Sequence, residues 1–129
     1  MDNVITQHPL DAVQPEAISG VQLQTVRDQI KRNRGVQFYQ SLAWRRVRNA
    51  VLADAHNECV MCGARGRYTR ATMVHHVWLL RDHPELALAR HYYSGGKAYA
   101  QLVPLCHDCH EIAHARRDFR SAPLTPERW

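Results

Sequence analysis

Four cysteines in the chain form two pairs with the same spacing. Cys59 and Cys62 make one Cys-x-x-Cys pair, and Cys106 and Cys109 make the other. This spacing allows two thiolates from one tight turn to reach a single tetrahedral ion. Two such pairs fill all four positions and leave none for water, which favours a structural zinc site over four buried thiols without metal.

Histidines form a second set of candidate ligands. His75 and His76 are adjacent, and His110 and His114 are four residues apart in a predicted helix, so the latter two imidazoles face the same side. Neighbours in a regular strand point to opposite faces, so His75 and His76 can serve one cleft only where the strand ends or twists. One of them would then bind metal while the other handles water.

The letters HEIAH at residues 110–114 also match a zinc metalloprotease helix, in which Glu111 would be the general base. Such a protease needs a third zinc ligand further along the chain. Only 15 residues follow His114, with Asp118 and Glu127 as their acids and no histidine. We therefore interpret Glu111 as a surface residue of the helix.

Helices and strands must position these groups, and the hydrophobic pattern predicts where they lie. Trp44, Val47 and Val51 form the apolar stripe of one predicted helix, from which Arg45 and Arg48 project on a different side. The predicted elements are helices at 19–35, 41–55 and 107–119, a short helix at 84–88, extended segments at 71–78 and 101–105, and a turn at 94–97.

Length and composition predict one small α+β domain stabilised by zinc. The chain has 129 residues, 45% of them apolar, which is enough for a compact core but not a generous one. We expect a loose N-terminal arm at 1–18, the domain at 19–120, with its helices at the N-terminal side, and a tail at 121–129.

The charge and the location of the protein are also bounded by composition. A net charge of +5 indicates a polyanionic partner, most often nucleic acid. No run of about 18 apolar residues occurs, which excludes a membrane-spanning helix. The N-terminal sequence does not resemble an export signal, so we expect a cytoplasmic protein whose cysteines bind metal in a reducing compartment.

One combination of motifs resembles a known family. The pattern FYxSxxWxxxRxxVL at 38–52 is followed by CxxC, VHH, QLVPLCxxCH and a final His four residues on. Together these resemble HNH endonucleases of the ββα-metal (His-Me finger) superfamily, above all small phage-encoded ones, over residues 36–117. The histidines also resemble the metal site of colicin nuclease domains. The resemblance implies a ββα-metal fold, a metal-dependent DNA endonuclease and a setting in phage DNA packaging, with packaging proteins as partners.

The resemblance also implies roles for individual residues. His76 would be the general base that activates the attacking water, and the products would carry 5′-phosphate and 3′-hydroxyl ends. The ligands of one catalytic ion (Mg²⁺, Mn²⁺, Ni²⁺ or Zn²⁺) would be His75, His110 and His114; the structural zinc would be held by Cys59, Cys62, Cys106 and Cys109; and DNA phosphates would be contacted by Arg45, Arg48, Arg116 and Arg117.

One position departs from the family pattern. The middle letter of HNH is normally asparagine, the matching residue is Gln101, and no asparagine occurs after Asn57. Glutamine carries the same amide on a longer stem, so we predict that Gln101 supports catalysis by pinning the loop that carries His76 through backbone hydrogen bonds. The alternative function is a zinc-stabilised DNA-binding module without catalysis, which leaves the clustered histidines unexplained.

Overall fold

A computed structural model describes residues 4–14, 20–33 and 35–121 and, for residue 33 and residues 115–121, the backbone alone. The elements are α1 (Gly20–Asn33), α2 (Val36–Gln40), α3 (Leu42–Asp54), α4 (Val60–Gly63), β1 (Met73–His76), a 3-10 helix (Pro84–Leu86), β2 (His91–Ser94), β3 (Lys97–Ala100), β4 (Leu102–Leu105) and α5 (His107–Ser121). None of the helices in these ranges is both long and apolar enough to cross a membrane.

The strands form two separate antiparallel pairs. β1 pairs with β4, and β2 pairs with β3 in a hairpin inserted between them. In the central pair His75 lies opposite Val103, and His76 lies opposite Leu102. The hairpin turns through Gly95 (φ 58°) and Gly96 (φ 78°), a left-handed pair that suits a two-residue hairpin turn and that side chains with a Cβ rarely adopt.

Each face of the β1–β4 pair is covered by a different apolar cluster. On one face, Val74 and Leu102 pack with Phe38 of α2 and Trp44 of α3. On the other, Val103 and Leu105 pack with the four cysteines and with Ala113 of α5. Because side chains alternate along a strand, the adjacent residues Leu102 and Val103 of β4 enter different clusters. The fold is the α+β arrangement predicted from the sequence, and the pair β1–β4 with α5 is its ββα unit.

The helix that lines the first cluster begins where the sequence predicts. Ser41 caps α3, and its hydroxyl oxygen accepts a hydrogen bond from the Trp44 N–H at 3.2 Å. The short helix α2 and the strands of the β2–β3 hairpin were not predicted. Gly35, with φ 88°, separates α2 from α1 and lets the chain turn so that Phe38 is buried.

The N-terminal segment differs from the loose arm expected over residues 1–18. Ile5 and Leu10 pack against the cysteine-containing cluster. The Asp11 carboxylate accepts hydrogen bonds from the N–H groups of Gly95 and Gly96 at 2.7 and 2.9 Å. The Gln14 side-chain amide donates a hydrogen bond to the carbonyl of Tyr93 in β2 and accepts one from the Tyr93 N–H. Residues 4–14 therefore pack along the hairpin, while the rest of the expected arm, at 1–3 and 15–18, and the tail at 122–129 lie outside the described residues.

Removing residues 1–14 tests whether this segment stabilises the domain. We expect the free energy of unfolding to fall by about 2 kcal/mol, because partly buried side chains and several hydrogen bonds are lost. Urea denaturation of the whole and shortened chains measures the difference. Val13→Ala, at a side chain that is 80% exposed, is the control that should leave stability unchanged. If the shortened chain were as stable as the whole chain, these residues would behave as the loose arm that the sequence predicts.

Candidate active site

Two turns bring the four cysteines together. Cys59 caps the single turn of α4 and Cys62 lies within it, while Cys106 and Cys109 lie at the start of α5. All four side chains are buried, and their sulfur atoms lie within 4.8 Å of one another. The hydrogen bond from the His110 N–H to the Cys106 carbonyl, at 3.0 Å, continues the helix directly from the second pair.

The spacing of the sulfur atoms fits a tetrahedral zinc ion. The Cys62 Sγ lies 3.9 Å from the Cys106 Sγ and 3.7 Å from the Cys109 Sγ. Zinc–sulfur bonds of about 2.3 Å put the corners of a tetrahedron about 3.8 Å apart. Burial raises the pKa of the Cys59 thiol, but hydrogen bonds from the backbone N–H groups of Cys62 and Cys106 and from the side chains of Cys109 and Cys62 together outweigh it and bring this pKa down to about 7. A thiol with such a pKa is readily available as a thiolate ligand near neutral pH.

Three histidines from distant parts of the chain form a second cluster. The ring nitrogens of His75, His110 and His114 all lie within 4.8 Å of one another. The Nε2 atoms of His110 and His114 are 3.1 Å apart, and the His75 ring meets both of the others edge-on. Neighbouring ligands of one ion, with metal–nitrogen bonds of about 2.0–2.1 Å, are separated by about 2.9–3.4 Å. The cluster therefore fits a single cation. Its ligands would be three neutral imidazoles, and the site is partly open.

His76 occupies the opposite face of the strand from His75. Its ring stacks on Trp44 at a centroid distance of 4.8 Å and is 3% exposed. Burial lowers the pKa of His76 to about 4, against a smaller raising effect of its hydrogen bond to Ala87. In the neutral ring the Nε2–H donates to the Ala87 carbonyl oxygen at 2.9 Å, which leaves the Nδ1 lone pair as a proton acceptor.

Both faces of the strand contribute to one cleft. A cleft of about 510 Å³ is lined by the whole of β1 and by all four of these histidines. Arg48 and Tyr39 also line it, and burial raises the pKa of Tyr39, so its phenol stays protonated. His75 and His76 therefore line one cleft although they lie on opposite faces of the strand.

Gln101 lies away from the histidine cluster and is completely buried. Its Oε1 accepts a hydrogen bond from the Trp78 N–H at 3.0 Å, and its Nε2 donates to the Trp78 carbonyl at 2.9 Å and, at 3.5 Å, to the Leu86 carbonyl. Trp78 is two residues after His76, and Leu86 directly precedes Ala87. The amide thus connects both ends of the loop that holds the His76 ring.

The arginines predicted to bind DNA differ in their positions relative to the cleft. Arg48 lines the cleft, whereas Arg45 is exposed on α3 outside its lining. The side chains of Arg116 and Arg117 lie outside the described residues. The Ala87 carbonyl and Tyr39 are features that the sequence reasoning missed. Tyr39 belongs to the FYxSxxW pattern, which was its available signal, whereas a backbone carbonyl leaves no signature in a sequence.

Comparisons with known proteins identify the fold. No protein-family model and no curated protein sequence matches the chain. Among solved structures, it is similar to the crystal structure of the HNH endonuclease of the deep-sea thermophilic bacteriophage GVE2 with manganese ion. The two are 26% identical, the match covers 80% of this chain and 97% of that one, and the TM-score is 0.56. The resemblance predicted from the motifs is confirmed by this likeness.

Loss of one cysteine tests the structural metal. We expect the purified protein to carry one zinc ion in the thiolate cluster and Cys106→Ser to lose it and unfold, because the ion joins two distant turns around the core. Zinc content by mass spectrometry and a thermal melt measure both effects. His110→Ala is the matched control, which should keep that zinc and a cooperative melt. A Cys106→Ser protein with an unchanged melting temperature would contradict a structural role.

Proposed function

We propose that this chain is a member of the HNH endonuclease family that hydrolyses phosphodiester bonds in DNA with the help of a divalent metal ion. His75, His110 and His114 would hold the ion, and His76 would be the general base. One observation carries the proposal: a three-histidine cluster and a fourth, separately held imidazole line the same cleft.

His76 is suited to accept a proton because its orientation is fixed by two contacts. Trp44 stacks on the ring, and the Ala87 carbonyl binds the Nε2–H, so the Nδ1 lone pair has a defined direction. The low pKa keeps the ring neutral throughout the physiological range. A neutral, oriented imidazole at the edge of a cleft can take a proton from a water molecule that attacks a phosphate.

The histidine cluster supplies three neutral nitrogen ligands, and it contains no acid among the described residues. A divalent cation bound there would neutralise charge on the scissile phosphate and stabilise the leaving oxygen. Three imidazoles suit zinc or nickel by ligand type, and manganese is the ion in the crystal structure of the similar phage enzyme. We therefore test manganese, magnesium, nickel and zinc as activating ions.

DNA is the partner that fits the charge and the cleft. Arg48 lies beside the histidines, where a guanidinium group can bind a phosphate oxygen. Its Nε and Nη2 atoms hydrogen-bond the Asn49 side chain at 3.2 and 3.0 Å, which positions the group on the outer part of α3. The phage packaging setting and the cytoplasmic location remain predictions.

The protease interpretation of HEIAH is not favoured by this site. The third histidine of the cluster is His75, which precedes the motif, and Glu111 does not line the cleft. The Glu111 carboxylate instead lies 3.8 Å from the His107 ring, one helical turn earlier on α5. The position at which a protease would have its general base is therefore on a different side of the helix.

A plasmid assay tests the proposed activity. Supercoiled DNA should be cut in the presence of a divalent ion and protected by a chelator. His76→Gln should lower the rate by a factor of about 10² to 10⁴, because a glutamine amide can still donate to the Ala87 carbonyl but has no basic nitrogen. His91→Ala, at an exposed histidine outside the cleft, is the control that should cut normally. DNA binding without cleavage by the unaltered protein would favour the non-catalytic binding module instead.

Gln101→Ala tests the positioning of His76 separately. The substitution leaves the backbone groups of Trp78 without their buried partner, so we expect the free energy of unfolding to fall by about 2–3 kcal/mol. We also expect kcat to fall while the KM for DNA and metal binding by the three histidines change little. Gln101→Asn, which keeps both the acceptor oxygen and the N–H donor of the amide, should recover part of the rate. An unchanged kcat in the alanine variant would contradict the positioning role.

A further inference from the structure

The loop that follows the first cysteine pair carries a concentration of positive charge outside the cleft. Arg65, Arg67 and Arg70 lie within six residues, and all three are exposed. No aspartate or glutamate occurs from residue 59 to residue 81. Glu58 is the nearest acid, and it pairs with Arg70 only through the backbone. Among the described residues, none of the three guanidinium groups forms an ion pair, so their charge is available to a partner.

Hydrogen bonds give this basic loop a defined shape. The N–H groups of Arg65 and Arg67 both donate to the Cys62 carbonyl at 3.0 Å, and the Cys59 N–H donates to the Thr69 carbonyl at 2.8 Å. Gly66, with φ 76°, allows the turn between the two arginines. The arginines are therefore presented by a backbone that is anchored at the thiolate cluster, so little backbone entropy is lost when a partner binds.

An exposed aromatic ring lies among these charges. Tyr68 is 70% exposed, and among the large hydrophobic side chains described only two valines are more exposed. A tyrosine flanked by arginines on a surface loop is typical of nucleic-acid contacts, in which phosphates bind the guanidinium groups and the ring packs on sugars or bases.

The basic loop also leads directly to the cleft. Thr72, the residue before β1, and Met73, its first residue, line the cleft, and Arg70 is two residues before Thr72. Because consecutive Cα atoms are about 3.8 Å apart, the backbone of Arg70 lies within about 8 Å of a cleft-lining residue. A polyanion that occupies the cleft and extends past this end of β1 would meet the loop.

We propose that the loop at residues 63–70 is a second DNA-binding surface, which holds the phosphate backbone of the duplex beyond the cleft. This inference rests on the proposed nuclease function and extends it. The thiolate cluster then does more than stabilise the fold, because it holds three arginines and a tyrosine in fixed positions beside the site of cleavage. We identify the partner as DNA because a duplex presents a regular array of phosphates and because its backbone would be continuous with the DNA strand in the cleft.

The experiment uses the whole chain with His76→Gln, so that DNA stays uncut while binding is measured. Arg65→Gln, Arg67→Gln and Arg70→Gln are combined in a loop variant. Its matched control combines Arg27→Gln, Lys31→Gln and Arg32→Gln on α1, where three exposed cations are removed from a helix that contributes nothing to the cleft. Fluorescence anisotropy of a labelled duplex gives the Kd at a series of salt concentrations.

We expect the loop variant to bind at least about tenfold more weakly and to lower the slope of log Kd against log salt by about 3, one for each phosphate contact. The control should change both quantities much less. Equal losses in the two variants would overturn the proposal by showing a general charge effect, and so would unchanged binding in the loop variant. No DNA binding by the parent protein would instead overturn the nuclease function itself.

Tyr68→Ser tests the aromatic contact without a change of charge. We expect a higher Kd with an unchanged salt slope, since no phosphate contact is lost. A Kd equal to that of the parent would remove Tyr68 from the surface. Thermal melts of all variants should match the parent, because every substituted side chain is exposed.

Discussion

The convergence of four thiols on one point is the constraint on which the rest of the structure depends. It joins the turn of α4 to the first turn of α5, which are separated by the whole β1–β4 region. A chain of this size has limited apolar area, and the cluster forms the centre of one of its two cores. Fixing the start of α5 also fixes the side of the helix that carries His110 and His114. The geometry of the histidine cluster is thus a consequence of the cysteine cluster.

The strand β1 explains how adjacent histidines take different roles. His75 lies on the face covered by α5 and joins two other imidazoles, while His76 lies on the face covered by α3 and stacks on an indole. The alternation of a strand separates the two environments by one residue, and both residues line the same cleft. A helix could not do this, because neighbouring residues on a helix diverge by about 100° and do not face opposite layers.

The parts of the fold that the sequence predicts are those that depend on local signals. The stripe of Trp44, Val47 and Val51 predicts α3, and the cysteine spacing predicts the thiolate cluster. The packing of the N-terminal segment was not predicted because its partners are distant: the Gln14 side chain bonds a strand 79 residues away. The short strands of the hairpin depend on the same long-range contacts. The convergence of the histidines was predicted through family resemblance, since spacing alone does not indicate which residues meet across the chain.

Gln101 shows how the site tolerates a longer amide than the family pattern has. The Gln101 side chain forms two hydrogen bonds with the backbone of Trp78. These bonds require an amide group at a given position, whatever the length of the side chain that carries it. The loop they hold ends at the carbonyl that binds His76. A histidine with a pKa of about 4 is neutral near pH 7 but is a weak base, so its contribution depends on placement more than on basicity. The buried amide at Gln101 therefore matters to the chemistry through the direction of one lone pair, although it touches neither the cleft nor the cluster.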